Sequence, residues 1–139
     1  IEGAHEGAGL GTRFLGHVER CGVLIHLVDG TQDDVAAAYK TIRAELKSYS
    51  PVLAQKPEIL CLNKCDALSE DEIEDKTKAL MKAAKLKKGR AKNAPSPVLA
   101  ISGAAKIGTT ELLRRAIAVI QDARAKEADE KASTIEAAQ

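Results

Sequence analysis

Apolar positions along the chain alternate between short unbroken runs and longer stretches in which they recur every three or four residues. The three runs are residues 23–28, which are nearly continuous and interrupted by His26, residues 59–62 and residues 98–101, and turn residues bound them. Short apolar runs of this kind are typical of strands that are covered on both faces, as in a parallel sheet. The pattern therefore predicts three buried strands.

Each predicted strand is followed by a predicted helix. Residues 34–46 and 109–120 carry apolar stripes with helical spacing. Between these two stretches, Ser69 and Glu72 stand in the positions of a capping box, which marks the start of a helix. A further helix is predicted over residues 10–21. Strands that alternate with helices indicate an open α/β sheet with right-handed crossovers.

Two segments lack this periodicity. Residues 87–97 contain glycine, asparagine and proline and are predicted to form a loop. From about residue 126 the chain is rich in alanine and charge and has no apolar stripe. We therefore expect one domain over residues 1–125 and a charged, Ala-rich tail or linker over residues 126–139.

Composition excludes several classes of protein. The 139 residues hold 21 Lys and Arg against 20 Asp and Glu, a net charge of +1, which is unlike a generally basic nucleic-acid binder. No apolar run is long enough to cross a bilayer. Three cysteines, Cys21, Cys61 and Cys65, cannot all pair, and a reduced, cytoplasmic protein fits them better than a disulfide scaffold.

The strongest candidate chemistry follows the second strand, because open α/β sheets bind ligands at the carboxyl ends of their strands. Asn63, Lys64 and Asp66 form an Asn-Lys-x-Asp pattern there, which resembles the guanine-reading motif of GTP-binding proteins. Guanine presents two adjacent hydrogen-bond donors, and one carboxylate can accept both, so Asp66 is predicted to select the base. The Lys64 stem would cover the ring, and Asn63 would donate to the imidazole nitrogen and join neighbouring loops. The alternative interpretation is an ordinary Asx turn that closes the strand.

The third strand is followed by three small residues, Ser102, Gly103 and Ala104. Small side chains allow backbone N–H groups to approach the guanine carbonyl oxygen.

Near the amino terminus, five glycines in the first sixteen residues favour a segment that changes conformation. The sequence thus predicts a guanine-binding site at the strand ends and a separate mobile segment.

These motifs together resemble the GTPase domain of the Obg family. The resemblance covers residues 1 to about 125, and it is carried by the glycine-rich residues 2–11, by residues 14–21 and by Leu-Val-Asp-Gly-Thr at 27–31. It implies a partial Ras-like P-loop GTPase domain, with three αβα layers and a mainly parallel sheet. It also implies GTP, GDP and Mg²⁺ as ligands, slow hydrolysis of GTP, and action as a switch in assembly of the large ribosomal subunit. The residues that the resemblance assigns to the second switch are Glu2, Gly3, Ala4, Gly7, Gly9 and Gly11.

The chain departs from the family pattern in one important respect. Neither a Gly-x-x-x-x-Gly-Lys-Ser/Thr phosphate loop nor an Asp-x-Pro-Gly motif occurs in the 139 residues. We therefore expect the carboxyl-terminal half of an Obg-type domain, with the Mg²⁺ ligands outside it and no catalytic residue named within it. By itself such a half should neither bind GTP tightly nor hydrolyse it. Its first strand would lack a neighbour, and the chain could self-associate through that open edge.

A non-enzymatic interaction module that binds a protein or RNA partner is the alternative function. Lysines and arginines cluster over residues 76–92, but the same helix opens with acidic residues, which is the order that the helix dipole favours. A solvated face therefore explains most of this cluster, and RNA contact stays open for residues 87–92. His17 and Cys21 lie one turn apart without the four grouped ligands that zinc requires. Asp29 is expected to be a turn residue.

Overall fold

Three parallel strands with helices on both sides form the framework of the protein, which a computed structural model describes over residues 15–138. Residues 15–18 are helical. The elements that follow are β1 (Leu24–Asp29), α1 (Val35–Tyr49), α2 (Pro51–Gln55), β2 (Glu58–Asn63), a 3₁₀ turn (Cys65–Ala67), α3 (Glu70–Ala83), β3 (Val98–Ala100) and α4 (Thr109–Ala138).

The described sheet has the order β1-β2-β3, and both pairs are parallel. Asp29, the last residue of β1, lies opposite Asn63, the last residue of β2. Leu60 of β2 lies opposite Val98 of β3. This arrangement confirms the predicted α/β fold and is consistent with a partial Ras-like GTPase domain.

Strand β2 has apolar packing on both faces, which explains its unbroken hydrophobic run. Leu60 and Leu62 belong to a cluster with Leu80 of α3. On the opposite face, Cys61 packs in a second cluster with Leu112 of α4. Full burial of one large apolar side chain contributes about 1.5–3 kcal/mol, so these two clusters hold the helices against the sheet in three layers.

Local hydrogen bonds define where the helices begin. The capping box that the sequence predicts is present, with the Glu72 N–H donating to Ser69 Oγ and the Ser69 N–H donating to the Glu72 carboxylate. Asp34 caps α1 by accepting from the Ala37 N–H. Ser50 caps the short helix α2, which the hydrophobic pattern did not predict because five residues show no helical period.

Strand β1 lies at one edge of the described sheet. Ile25 and Leu27 are 42% and 50% exposed there, although both lie in the middle of an apolar run. An apolar groove of about 360 Å³ runs beside this strand, between it and α1. This apolar groove therefore lies at the β1 edge rather than at the strand ends where the candidate chemistry lies.

Several predictions fall at the ends of the chain. The six predicted switch residues, Glu2, Gly3, Ala4, Gly7, Gly9 and Gly11, lie outside the described residues. Helix α4 continues through the predicted tail, where residues 126–137 are helical and exposed, and the domain boundary at 125 stays a prediction. Over the described range, none of the helices combines the length and the apolar character needed to cross a bilayer.

Gly30 provides a test of packing at the strand ends. A Cβ at this position would lie 2.7 Å from the Asn63 carbonyl oxygen and 2.8 Å from Leu68 Cδ1, so Gly30→Ala should lower the free energy of unfolding by about 1–3 kcal/mol. Urea unfolding followed by circular dichroism measures this change. Gly103→Ala is the control, because the nearest atom to its Cβ would be 3.9 Å away. Equal stability of the two variants would contradict the packing described here.

Candidate functional site

The turns that follow β2 and β3 are held side by side by backbone hydrogen bonds. The Ile101 N–H donates to the Leu62 carbonyl over 2.9 Å, and the Cys65 N–H donates to the Ile101 carbonyl over 3.0 Å. These bonds continue the β2–β3 pairing beyond the end of β3. The Asn-Lys-x-Asp segment and the Ser-Gly-Ala segment therefore meet at the same edge of the sheet.

Asp66 and Ser102 are brought together at this edge. The Ser102 hydroxyl donates to Asp66 Oδ1 over 2.7 Å and accepts from the Ala105 N–H over 3.1 Å. Ser102 is only 1% exposed, whereas Asp66 is exposed at the surface. A carboxylate has about four lone-pair sites, so Asp66 keeps acceptor capacity for two donors after binding Ser102.

Asn63 joins the same two turns from the end of β2. The Gly103 N–H donates to Asn63 Oδ1 over 3.1 Å, which is the connection between loops that the sequence predicts for this residue. The Nδ2 group is the donor of the Asn63 side chain, and it can donate to a ligand while Oδ1 accepts from Gly103.

The backbone donors of the Ser-Gly-Ala turn differ in availability. The Ser102 N–H donates to the Ile107 carbonyl over 3.0 Å, and the Gly103 N–H is taken by Asn63. Among the residues described, no acceptor is present for the Ala104 N–H. The predicted contribution of Ser102, Gly103 and Ala104 to guanine binding stays a prediction, and the geometry favours Ala104 as its backbone donor.

Lys64 has a constrained backbone and a defined ionic partner. Its φ of 64° and ψ of 31° lie in the left-handed region, which is costly for a residue with a Cβ. The ammonium group lies 2.8 Å from Asp29 Oδ2 at the end of β1. The position of the Lys64 side chain is thus set from a third strand end.

Asp29 accepts hydrogen bonds on both of its carboxylate oxygens. Oδ1 accepts from the Thr31 N–H over 2.9 Å and from the Thr31 hydroxyl over 2.6 Å, while Oδ2 accepts from Lys64. The hydrogen bond from Lys64, followed by those from Thr31, lowers the pKa of Asp29 to about 2. Asp29 therefore stays negatively charged to a lower pH than an ordinary aspartate does.

The sequence pattern predicts the turn at Asp29 but not its contact with Lys64. The two residues are 35 positions apart, and no local pattern links them. The register of the two strands explains the contact, because Asp29 and Asn63 end their strands at the same level and Lys64 follows Asn63.

The loop that carries Asp29 is held from two directions. The Gly30 N–H donates to the Asn63 carbonyl over 2.9 Å. The ammonium of Lys76, on α3, donates to the Gly30 carbonyl over 2.5 Å and to the Gln32 carbonyl over 2.9 Å. The sequence pattern assigns Lys76 to a solvated basic cluster and does not predict this role.

The cysteines near the site belong to the core. Cys65, the variable position of the Asn-Lys-x-Asp pattern, is buried and donates through its thiol to the Leu62 carbonyl over 3.1 Å. Burial raises the pKa of Cys65, and it raises the pKa of Cys61 to about 11. Within residues 15–138 no group of three or more His, Cys, Asp or Glu side chains could hold a metal ion.

A scan against protein-family models produced no match. Two curated proteins named GTPase Obg are similar to the chain. The protein of Rickettsia felis is 46% identical over 122 residues, which cover 88% of this chain and 34% of that protein. The protein of Rickettsia massiliae is 60% identical over 82 residues, which cover 59% of this chain and 25% of that protein. The chain thus spans about a third or less of the length of these relatives.

The ion pair between Asp29 and Lys64 can be tested by titration. Lys64→Met should raise the pKa of Asp29 from about 2 toward its ordinary value of 3.8, because the largest cause of the shift is removed. The pKa of Asp29 is lowered in the folded protein, so the pair stabilises the fold above about pH 4, and that stabilisation is lost as the pH falls toward 2.

Carboxyl ¹³C NMR of the chain measures this pKa directly. Thr31→Val should produce a smaller rise, since the hydrogen bonds from Thr31 rank after the one from Lys64. Lys47→Met, which removes an exposed charge near the end of α1, is the control. A wild-type Asp29 that titrates near 3.8 would contradict the pairing.

Proposed function

Since this chain belongs to the Obg family of GTPases, we propose that its strand-end site binds the guanine base of GTP and GDP. The observation that carries the proposal is the contact between the buried Ser102 hydroxyl and the exposed Asp66 carboxylate at 2.7 Å. Asp66 accepts the ring N–H and the exocyclic amine of guanine with its remaining lone pairs. Adenine lacks this pair of donors, so the carboxylate discriminates between the two purines.

The other site residues complete the recognition of the base. The Ala104 N–H donates to the guanine carbonyl oxygen, and Asn63 Nδ2 donates to the imidazole nitrogen. The aliphatic stem of Lys64 covers one face of the ring. Support for these roles comes from the available donors and from the ionic contact that holds the Lys64 ammonium to one side.

We extend the proposal to hydrolysis of GTP by the protein in which this segment is joined to a phosphate loop. The name of both relatives, GTPase Obg, supports that extension. No phosphate-loop motif occurs in the 139 residues, so no catalytic residue is assigned here. Mg²⁺ supplies charge neutralisation at the phosphates in GTPases, but the described residues do not fit it and no step is attributed to it.

The biological setting in the proposal follows from the family resemblance. We propose that the intact protein is a cytoplasmic switch that acts in assembly of the large ribosomal subunit. In this role the glycine-rich residues 2–11 would respond to the γ-phosphate.

A protein-interaction module is the second candidate function. Exposed Ile25 and Leu27 on the edge strand, beside an apolar groove of about 360 Å³, favour it. An unpaired strand edge can add a strand from another chain or from a second copy of this one. The two functions differ in whether a guanine nucleotide binds.

Asp66→Asn tests the guanine site. An amide presents one acceptor and one donor, so the variant should lose roughly 100-fold in GDP affinity and gain preference for xanthosine diphosphate, whose base exchanges a donor for an acceptor. Binding is measured by calorimetry in a chimaera in which this chain replaces the matching region of the Rickettsia felis relative.

Asp75→Asn is the matched control, because Asp75 is exposed on α3 and belongs to neither the Asn-Lys-x-Asp nor the Ser-Gly-Ala segment. It should leave both affinities unchanged. An Asp66→Asn variant that keeps the wild-type preference for guanine would remove Asp66 from its proposed role.

Complementation distinguishes the two candidate functions. The chain by itself should show a negligible thermal shift with GDP and Mg²⁺, because base contacts alone provide only part of the binding free energy. Addition of the region that precedes the matched segment in the Rickettsia felis relative should restore nucleotide binding. Dimerisation of the chain in sedimentation experiments, with no nucleotide binding after complementation, would favour the interaction module.

A further inference from the structure

We propose that Asp29 is a positioning residue of the guanine site, which acts by fixing the Lys64 ammonium so that the lysine stem stays over the base. This inference rests on the proposed function. It adds a residue from a third strand end to a site that the Asn-Lys-x-Asp and Ser-Gly-Ala segments define.

The contact geometry supports a positioning role. Lys64 Nζ and Asp29 Oδ2 are 2.8 Å apart, and Thr31 occupies Oδ1 through two hydrogen bonds. The carboxylate therefore cannot rotate away from Lys64 without losing its bonds to Thr31. The Asp29 carboxylate is charged and is held by two hydrogen bonds from Thr31, so it is a fixed partner for the long and flexible side chain of Lys64.

The backbone conformation of Lys64 is also constrained. A lysine in the left-handed region is retained only where surrounding contacts determine its conformation. The 3₁₀ turn contributes one contact, in which the Ala67 N–H donates to the Lys64 carbonyl over 3.0 Å. The side-chain contact with Asp29 is the second, and it determines the direction of the stem.

The loop that carries Asp29 is itself held by α3. The Lys76 ammonium binds the carbonyls of Gly30 and Gln32, which flank Thr31 in the loop after Asp29. Gly30 approaches the Asn63 carbonyl so closely that a Cβ would lie 2.7 Å from it. A connected series of polar contacts thus runs from Lys76 through the β1–α1 loop to Asp29 and Lys64.

The pairing also has a consequence for charge. Because the Lys64 ammonium is neutralised by Asp29, Lys64 should act on the base through its stem rather than on phosphates through its charge. Loss of Asp29 should therefore weaken the binding of GMP and GDP by the same factor. A phosphate-directed lysine would instead produce a larger loss for GDP.

A double-mutant cycle tests the inference in the Rickettsia felis chimaera described above. Asp29→Asn and Lys64→Met should each weaken GDP binding about tenfold, the scale of one charge-assisted contact. The double variant should bind no more weakly than Lys64→Met alone, because Asp29 acts through Lys64. Lys64→Arg, which keeps a cation opposite Asp29, should retain affinity within about threefold.

Asp33→Asn is the matched control, since it removes the same charge from the same loop and Asp33 is exposed. Unchanged GDP affinity in Asp29→Asn, or additive losses in the double variant, would overturn the inference. Urea unfolding of each variant establishes that it folds. If Asp29→Asn does not fold, Lys76→Met replaces it and should weaken GDP binding by a smaller factor, and wild-type affinity in that variant would overturn the inference.

Asp66→Asn separates this inference from the proposed function. Unaltered base preference in Asp66→Asn refutes guanine recognition, whatever Asp29 does. Altered preference in Asp66→Asn together with wild-type affinity in Asp29→Asn refutes only the positioning role.

Discussion

The hydrogen bond between the buried Ser102 hydroxyl and the exposed Asp66 carboxylate is the interaction on which the site depends. Ser102 is fixed by its own backbone pairing with Ile107 and by the bond that it accepts from Ala105. Because the serine is held in the core, it determines the orientation of a carboxylate that faces solvent. Removal of the hydroxyl would leave Asp66 exposed but free to rotate, and a rotating carboxylate pays an ordering cost on binding.

A second constraint comes from the parallel sheet itself. Parallel strands that end at the same level bring residues distant in sequence to one edge, and here three strand ends supply Asp29, Asn63 with Lys64, and Ser102. The charges at this edge alternate in sign, so each ionic group has a partner of opposite charge or a hydrogen-bond donor. The pKa of Asp29 is lowered to about 2 mainly by the hydrogen bond that it accepts from Lys64 and then by those from Thr31.

Local patterns predicted most of the fold, and the comparisons confirm the Obg resemblance. The three strands and the Ser69–Glu72 capping box followed from periodicity and spacing, because they depend on neighbours in sequence. Helix α2 was missed because five residues show no period. The contacts of Asp29 with Lys64 and of Lys76 with Gly30 join residues 35 and 46 positions apart, and no local rule encodes them. The guanine-site roles themselves stay predictions.

In a guanine-nucleotide site, the residues that contact the base and the residues that contact the phosphates differ in how they depend on the rest of the molecule. Among the described residues, the contacts that orient Asn63, Lys64 and Asp66 come from residues between Asp29 and Ala105, so the proposed base recognition would be assembled within this segment. Preorganised donors and acceptors provide specificity without providing high affinity, because a single base buries little surface. In the proposed site, selectivity for guanine is therefore a property of this segment, whereas tight binding requires the phosphate contacts that a phosphate loop supplies.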